Sequence, residues 1–141
     1  MTQAQILILD DERSGVQHLQ DALSGYHAVH YSRSILEAKA ELERRDYDLI
    51  ICGVHLLHES MFEFLRDMKQ RAQMRGIPFV CFRAVETKFG QQLDVQIEAA
   101  ARILGAVEYI VVEKDRAEPA VLRQRIEEHL LRKTDAKKKS P

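Results

Sequence analysis

The feature that most constrains the fold is a repeated switch between two apolar periods. Short continuous apolar runs lie at residues 6–9, 49–52, 78–82 and 109–112, and residues 28–31 form a weaker run that suits an edge strand. Runs of this length are typical of strands buried on both faces. Stretches with apolar residues at helical spacing follow them, beginning with Val16, Leu19 and Leu23. This strict alternation predicts an α/β fold, with a parallel five-stranded sheet and helices on both faces.

Cap residues mark where several helices begin and end. Ser34 with Glu37, and Ser60 with Glu63, have the spacing of capping boxes, so each serine is expected to begin a helix. Gly76 is expected to close the helix that Ser60 opens. We find no internal repeat and no linker, so the sequence predicts one domain.

Length, charge and cysteine content set the class of protein. The 141 residues suffice for one domain, and a net charge of −1 argues against nucleic-acid binding. No apolar run is long enough to span a membrane, and the N-terminus lacks the features of a signal peptide. Cys52 and Cys81 lie inside apolar runs, which indicates buried, reduced thiols and a cytoplasmic location. We expect a domain over residues 1–132 and a disordered basic tail over residues 133–141.

Three carboxylates directly follow the first predicted strand, namely Asp10, Asp11 and Glu12. Functional residues of a parallel sheet gather at the carboxyl ends of its strands. Oxygen ligands of this kind suit Mg²⁺. Acidic residues also favour the first turn of a helix, so residue type alone leaves both interpretations open.

Several segments together resemble the receiver (CheY-like) domains of two-component response regulators. ILILDDE resembles the first strand with its acidic pair, and YDLIICGVHL resembles the third strand, which carries the phosphoacceptor. IPFVCFRA and GAVEYIVVEK resemble the fourth and fifth strands. The resemblance covers residues 4–132 and implies a flavodoxin-like (βα)5 fold with strand order 2-1-3-4-5.

The resemblance also assigns roles to single positions. It implies that Asp10 and Asp11 are the carboxylates on the Mg²⁺ side, and that Tyr109 is the aromatic residue of the switch. Three chemical positions depart from the family. Gly53 replaces the phosphoacceptor aspartate, Arg83 replaces the hydroxyl residue of strand four, and Val112 replaces the lysine of strand five.

These departures predict that phosphorylation at the usual site is lost, because glycine has no side chain to act as a nucleophile. Asp48 cannot replace it, since it lies at the other end of that strand. We hypothesise that Arg83 pairs with Asp10 and Asp11, replaces Mg²⁺, and locks the switch with the help of Lys114. The alternative is that Arg83 points into solvent.

A second hypothesis uses the same edge of the sheet as a metal or small-ligand pocket. His55 and His58 follow the third strand and, with Asp10 or Glu12, offer ligands for a transition metal. No further histidine or cysteine completes the ligand set, so surface histidines are the simpler interpretation.

The sequence therefore predicts a stand-alone, non-enzymatic receiver of a two-component system or phosphorelay that acts by binding proteins. The resemblance places its interaction surface at about residues 91–131. Candidate partners are a histidine kinase, another regulator or a second copy of the chain. Neither a nucleic acid nor a membrane is expected. The alternative function is a metal-sensing or small-ligand module built on Asp10, Asp11 and His55.

Overall fold

A computed structural model describes residues 3–10, 13–54, 56, 59–83, 88–111 and 118–139. For residues 13–15, 88–92 and 131–139 it describes the backbone alone. Strands and helices alternate along the chain: β1 Gln5–Leu9, α1 Arg13–Leu23, β2 Ala28–Ser32, α2 Ile35–Arg44, β3 Leu49–Gly53, α3 Met61–Gln70, β4 Phe79–Arg83, α4 Lys88–Ile103, β5 Glu108–Val111 and α5 Pro119–Lys139.

The five strands form one parallel sheet in the order β2-β1-β3-β4-β5. The predicted fold class is therefore confirmed, including the strand order. In this order β1 and β3 are neighbours, and so are β3 and β4. The residues that end these three strands consequently meet along one edge of the sheet.

Two apolar cores lie on opposite faces of the sheet because side chains alternate along each strand. One core joins alternate strand residues such as Leu7, Ile50 and Cys81 to α2, α3 and α4. The other joins residues such as Ile8 and Ile51 to α1 and α5. The alternation also decides which face each residue at a strand end occupies.

Both predicted N-caps are present. The Ser34 Oγ accepts a hydrogen bond from the Glu37 N–H at 3.1 Å, and the Ser60 Oγ accepts one from the Glu63 N–H at 3.3 Å. The Glu37 carboxylate, however, accepts from the N–H of Arg33 at 2.9 Å, one residue earlier than a capping box requires.

Two predicted boundaries differ from the structure. α3 ends at Gln70, well before Gly76. The turn that follows is held by Lys69 of α3, whose Nζ donates to the carbonyls of Arg75 and Ile77 at 3.1 and 3.2 Å. α5 continues to Lys139, so residues 133–139 are helical where we expected an irregular tail. Alanine and lysine are strong helix formers, which accounts for the extension. The division into a domain and a tail stays a prediction.

Candidate functional site

The carboxyl edge of the sheet brings together the residues that end β1, β3 and β4. Leu9 is paired with Cys52, so Asp10 lies beside Gly53. Gly53 in turn is paired with Phe82, the neighbour of Arg83. Asp10 and Arg83 are both buried, at 2% and 1% exposed. Two charged residues are thus enclosed at the edge where the sequence predicts chemistry.

The Asp10 carboxylate occupies the space beside Gly53 where a side chain would begin. A Cβ atom added to Gly53 would lie 2.7 Å from both Cγ and Oδ1 of Asp10, and 3.0 Å from Oδ2. Such distances are well inside van der Waals contact. The backbone around Asp10 is also held, since its N–H donates to the Ser32 carbonyl at 3.2 Å and its carbonyl accepts from the Tyr31 hydroxyl at 2.6 Å. A side chain at position 53 therefore requires Asp10 to move.

This arrangement does not fit a Mg²⁺ site within the described residues. A Mg²⁺ ion needs several oxygen ligands in an open octahedral arrangement. At this edge the described residues offer one buried carboxylate, Asp10, which is turned against Gly53. In the described part of the chain, no group of three or more histidine, cysteine or acidic side chains is placed to hold a metal ion.

Arg83 pairs with a carboxylate that the sequence hypothesis did not name. Its Nε donates to Asp94 Oδ1 at 2.8 Å, and its Nη2 donates to Asp94 Oδ2 at 2.7 Å. The expected pairing with Asp10 is therefore wrong in its partner, while a pairing with Asp11, which lies outside the described residues, stays a prediction. The cause is the alternation of β4, which places Arg83 on the α4 face together with Cys81, while Asp10 follows Ile8 on the α1 and α5 face. Arg83 does not point into solvent either.

Tyr109 completes this cluster on the α4 face. Its hydroxyl donates to Asp94 Oδ1 at 2.5 Å, so one carboxylate joins β4, α4 and β5. Burial raises the pKa of the Tyr109 phenol, and the hydrogen bond to Asp94 raises it further. The hydrogen bonds that Arg83 donates to Asp94 raise the pKa of the guanidinium against the opposing effect of burial. The phenol therefore stays neutral and the guanidinium stays charged over the physiological range.

Sequence reasoning missed Asp94, although a signal was present. Asp94, Ile97 and Ala101 share one face of α4 at helical spacing, and Ile97 and Ala101 pack into the core. A carboxylate on a core-facing row needs a buried partner. Arg83, at the end of an apolar strand, was the available cation.

Several predicted site residues lie outside the described residues. They are Asp11, Glu12, His55, His58, Val112 and Lys114. The second Mg²⁺ carboxylate, the histidine pocket, the lost lysine position and the assistance of Lys114 consequently stay predictions.

The two cysteines are buried, free thiols, as predicted. They are paired in register on β3 and β4, and the Cys81 thiol donates to the Met61 sulfur at 3.6 Å. Burial raises the pKa of Cys81 to about 12 and that of Cys52 well above its ordinary value. Thiols in this state are poor nucleophiles and poor metal ligands, so they are part of the core.

The predicted interaction surface, residues 91–131, exposes apolar side chains beside a charged network. On α4, Val95 is 78% and Ile103 is 85% exposed. Behind them the Glu108 carboxylate accepts from Arg125 at 3.1 Å and contacts His129 Nε2 at 3.1 Å. Burial opposes ionisation of Glu108, but these two hydrogen bonds lower its pKa overall.

The fold matches solved receiver domains. Over 92% of this chain and 99% of the other, it superimposes on a protein from Chloroflexus aurantiacus J-10-fl assigned as a response regulator, with a TM-score of 0.77 and 23% identity. The signal receiver domain of an HD domain-containing protein from Pseudomonas fluorescens Pf-5 gives a TM-score of 0.79 at 21% identity, over 99% and 96% of the chains. The chain has the receiver fold.

A third solved structure, a response regulator, is also similar. The phosphorylated cyanobacterial phytochrome response regulator RcpA gives a TM-score of 0.72 at 21% identity, covering 92% of this chain and 95% of that one. No protein-family model and no curated protein matches the sequence. The resemblance to receiver domains is thus confirmed in structure, while the loss of phosphoryl chemistry stays a prediction. None of the helices described for this receiver fold is long and apolar enough to cross a membrane.

Proposed function

We propose that this chain is a receiver-fold signalling module of a two-component system or phosphorelay that takes no phosphoryl group on β3. It has no catalytic activity of its own. It acts by binding a protein partner, such as a histidine kinase or another regulator, through a surface within residues 91–131. We expect it to work in the cytoplasm.

One observation carries the proposal, namely the position of the Asp10 carboxylate. Phosphoryl transfer at this edge needs a nucleophilic carboxylate on β3. Gly53 supplies none. The Asp10 carboxylate fills the volume that a larger side chain at position 53 would enter, with its Cγ and Oδ1 2.7 Å from the position of an added Cβ. Glycine at position 53, in place of the aspartate of receiver domains, is therefore accompanied by a matching position of Asp10. This argues against a single substitution in a site that still accepts a phosphoryl group.

The buried cluster of Arg83, Asp94 and Tyr109 supports the part of the proposal that the chain acts by binding a protein partner. In the resemblance to receiver domains, Arg83 stands at the position of the hydroxyl residue that would report phosphorylation. Here α4 is tied to β4 by two charge-assisted hydrogen bonds and to β5 by a third. Such a bidentate pair favours one position of α4, and so a surface that is always presented to a partner.

Intact-mass spectrometry after incubation with acetyl phosphate and Mg²⁺ tests the proposal. We expect no gain of a phosphoryl group at neutral pH, where an ordinary receiver domain included as a positive control gains one. A phosphoryl adduct that maps to Asp10 or to another carboxylate at this edge would contradict it.

The alternative function as a metal or small-ligand module gains no support from the described residues. Asp10 is buried against Gly53, while Asp11 and His55 lie outside the described residues. Metal analysis and an absorbance spectrum of the purified protein distinguish it from the receiver proposal.

A further inference from the structure

The exposed side of α4 carries an apolar row that nothing in the described part of the chain covers. Val95, Ala99 and Ile103 are all exposed and follow one another at intervals of four residues. Residues at this interval form one of the ridges by which helices pack against each other. Large exposed aliphatic side chains in a row of this kind indicate a contact surface.

The row is symmetric about Ala99, and this symmetry identifies its partner. Val95 and Ile103 lie about 6 Å on either side of Ala99 along the helix axis. If a second α4 packs antiparallel with the twofold axis at Ala99, each Val95 meets Ile103 of the second copy. The small alanine side chains face each other at the crossing point, which permits close approach of the helices.

The charges beside the row are complementary in the same arrangement. Glu98 and Arg102 form one flank of the row, and within one chain they pair at 2.9 Å. Glu98 precedes Ala99 by about 1.5 Å along the axis, and Arg102 follows it by about 4.5 Å. In the antiparallel pair Glu98 therefore lies within about 3 Å, measured along the axis, of Arg102 from the second copy. Each carboxylate then has an arginine from both chains within reach.

Arg102 is already held in position for this contact. Besides Glu98, it donates from Nη1 to the Val107 carbonyl at 3.2 Å. Its Nη2 lies 3.9 Å from Glu108 Oε1, beyond hydrogen-bond distance, and its guanidinium remains partly exposed, so it keeps an N–H donor for a carboxylate of a second chain. Asp94, one residue before Val95, fixes the rotation of α4 through Arg83 and Tyr109, and so keeps the apolar row facing outward.

We propose that the chain forms an isologous homodimer through α4, with the row Val95–Ala99–Ile103 at its centre and reciprocal Glu98–Arg102 pairs on its flank. This inference goes beyond the proposed function and does not rest on it. The dimer leaves β5 and α5 of the predicted interaction surface open to another protein.

Sedimentation velocity over a concentration series of the full chain is the first test. We expect a monomer–dimer equilibrium in which the mass approaches twice 16.3 kDa. Ile103→Asp is expected to weaken the dimer at least about tenfold, because it removes an apolar side chain from each half of the contact. Leu36→Asp on α2 is the matched control, since Leu36 is 79% exposed and lies outside the row. A chain that stays monomeric, or a dimer that Ile103→Asp leaves intact, overturns the proposal.

Charge reversal gives a test that loss of folding cannot imitate. Glu98→Arg alone places two arginines at each flank contact, and Arg102→Glu alone places two glutamates there. Both variants are expected to dimerise weakly by themselves and to form a heterodimer when mixed, since the mixture restores both opposite-charge pairs. No gain on mixing overturns the reciprocal pairing.

Disulfide trapping locates the twofold axis. Ala99→Cys is expected to cross-link rapidly under mild oxidation, because the two cysteines would face each other at the axis. The native Cys52 and Cys81 are buried and do not compete. Leu36→Cys is the control variant, and equal cross-linking rates for the two variants would rule out an axis at Ala99.

Discussion

At the scale of single residues, the Asp10 carboxylate explains why glycine is needed at position 53. The phi angle of Gly53 lies outside the left-handed region, so the backbone itself would accept any residue. The restriction comes from the neighbouring strand, whose buried carboxylate lies 2.7 Å from the Cβ position. Glycine at position 53 and the placement of the Asp10 carboxylate beside it are therefore two parts of one arrangement.

Gly53→Ala is therefore expected to destabilise the protein by about 1–3 kcal/mol, the usual cost of overpacking a buried site. Gly76→Ala is the matched control and should change stability by less than about 1 kcal/mol, because nothing lies within 4 Å of its Cβ position. Urea unfolding measures both free energies.

A double-mutant cycle with Asp10→Ala identifies the cause. If the clash is with Asp10, the cost of Gly53→Ala should fall by about 0.5–3 kcal/mol in the Asp10→Ala background. Additive effects would show that the strain lies elsewhere.

The buried ion pair of Arg83 and Asp94 is the second feature at the scale of single residues. Asp94→Ala leaves the Arg83 guanidinium buried without that carboxylate, and we expect a loss of about 3–5 kcal/mol. Replacing both residues, as in Arg83→Met with Asp94→Leu, should cost much less, because no buried charge remains. Thermal or urea unfolding compares the two variants. An Asp94→Ala protein as stable as the parent would show that the pair does not hold α4.

At the scale of elements, polar contacts attach the last helix to the sheet on two sides. Glu127 of α5 lies 2.7 Å from Nε2 of His27, which precedes β2, and His129 of α5 lies 3.1 Å from Glu108 of β5. His27 Nδ1 also accepts the N–H of Ala4 at 3.1 Å, which leaves Nε2 as the donor to Glu127. Burial of Leu122 and Ile126 stabilises the same helix.

The Glu108 contact makes part of this attachment dependent on pH. Because the folded state lowers the pKa of Glu108, its contribution is present above its ordinary value of 4.5 and is lost as the pH falls through the lowered one. Glu108→Gln should therefore cost about 1–2 kcal/mol at pH 7 and less at pH 3. Unfolding curves at both pH values measure this, with the exposed Glu43→Gln as control. A cost that is equal at both values would exclude the ionised pair as its source.

At the scale of the whole molecule, the expected behaviour is that of a switch fold held in one state. A ligand that binds the folded state raises its stability, so Mg²⁺ binding is visible as a shift in Tm. We expect no shift specific to Mg²⁺ up to about 10 mM, because the described residues offer one buried carboxylate at the carboxyl edge. Differential scanning fluorimetry with and without Mg²⁺, using Ca²⁺ and matched ionic strength as controls, measures it. A rise in Tm that Asp10→Asn abolishes would contradict this expectation.

The sequence by itself determined the alternating architecture, the capped starts of α2 and α3, and the position of Gly53 at the end of β3. These follow from local patterns, since apolar period and cap chemistry depend on nearby residues. The strand order followed from the resemblance to receiver domains and agrees with the structure. Sequence reasoning also identified Arg83 as unusual, but it did not name Asp94 as its partner.

Tertiary structure alone decided where each charge at the carboxyl edge is directed. Arg83 and Asp94 are far enough apart in sequence to belong to different elements, and only the packing of α4 on the sheet brings them together. The face of β4 on which Arg83 lies separates it from Asp10, and the 2.7 Å approach of Asp10 to Gly53 depends on the register of β1 and β3. Side-chain alternation and strand register are relations between elements, and no local pattern specifies the distances that they produce.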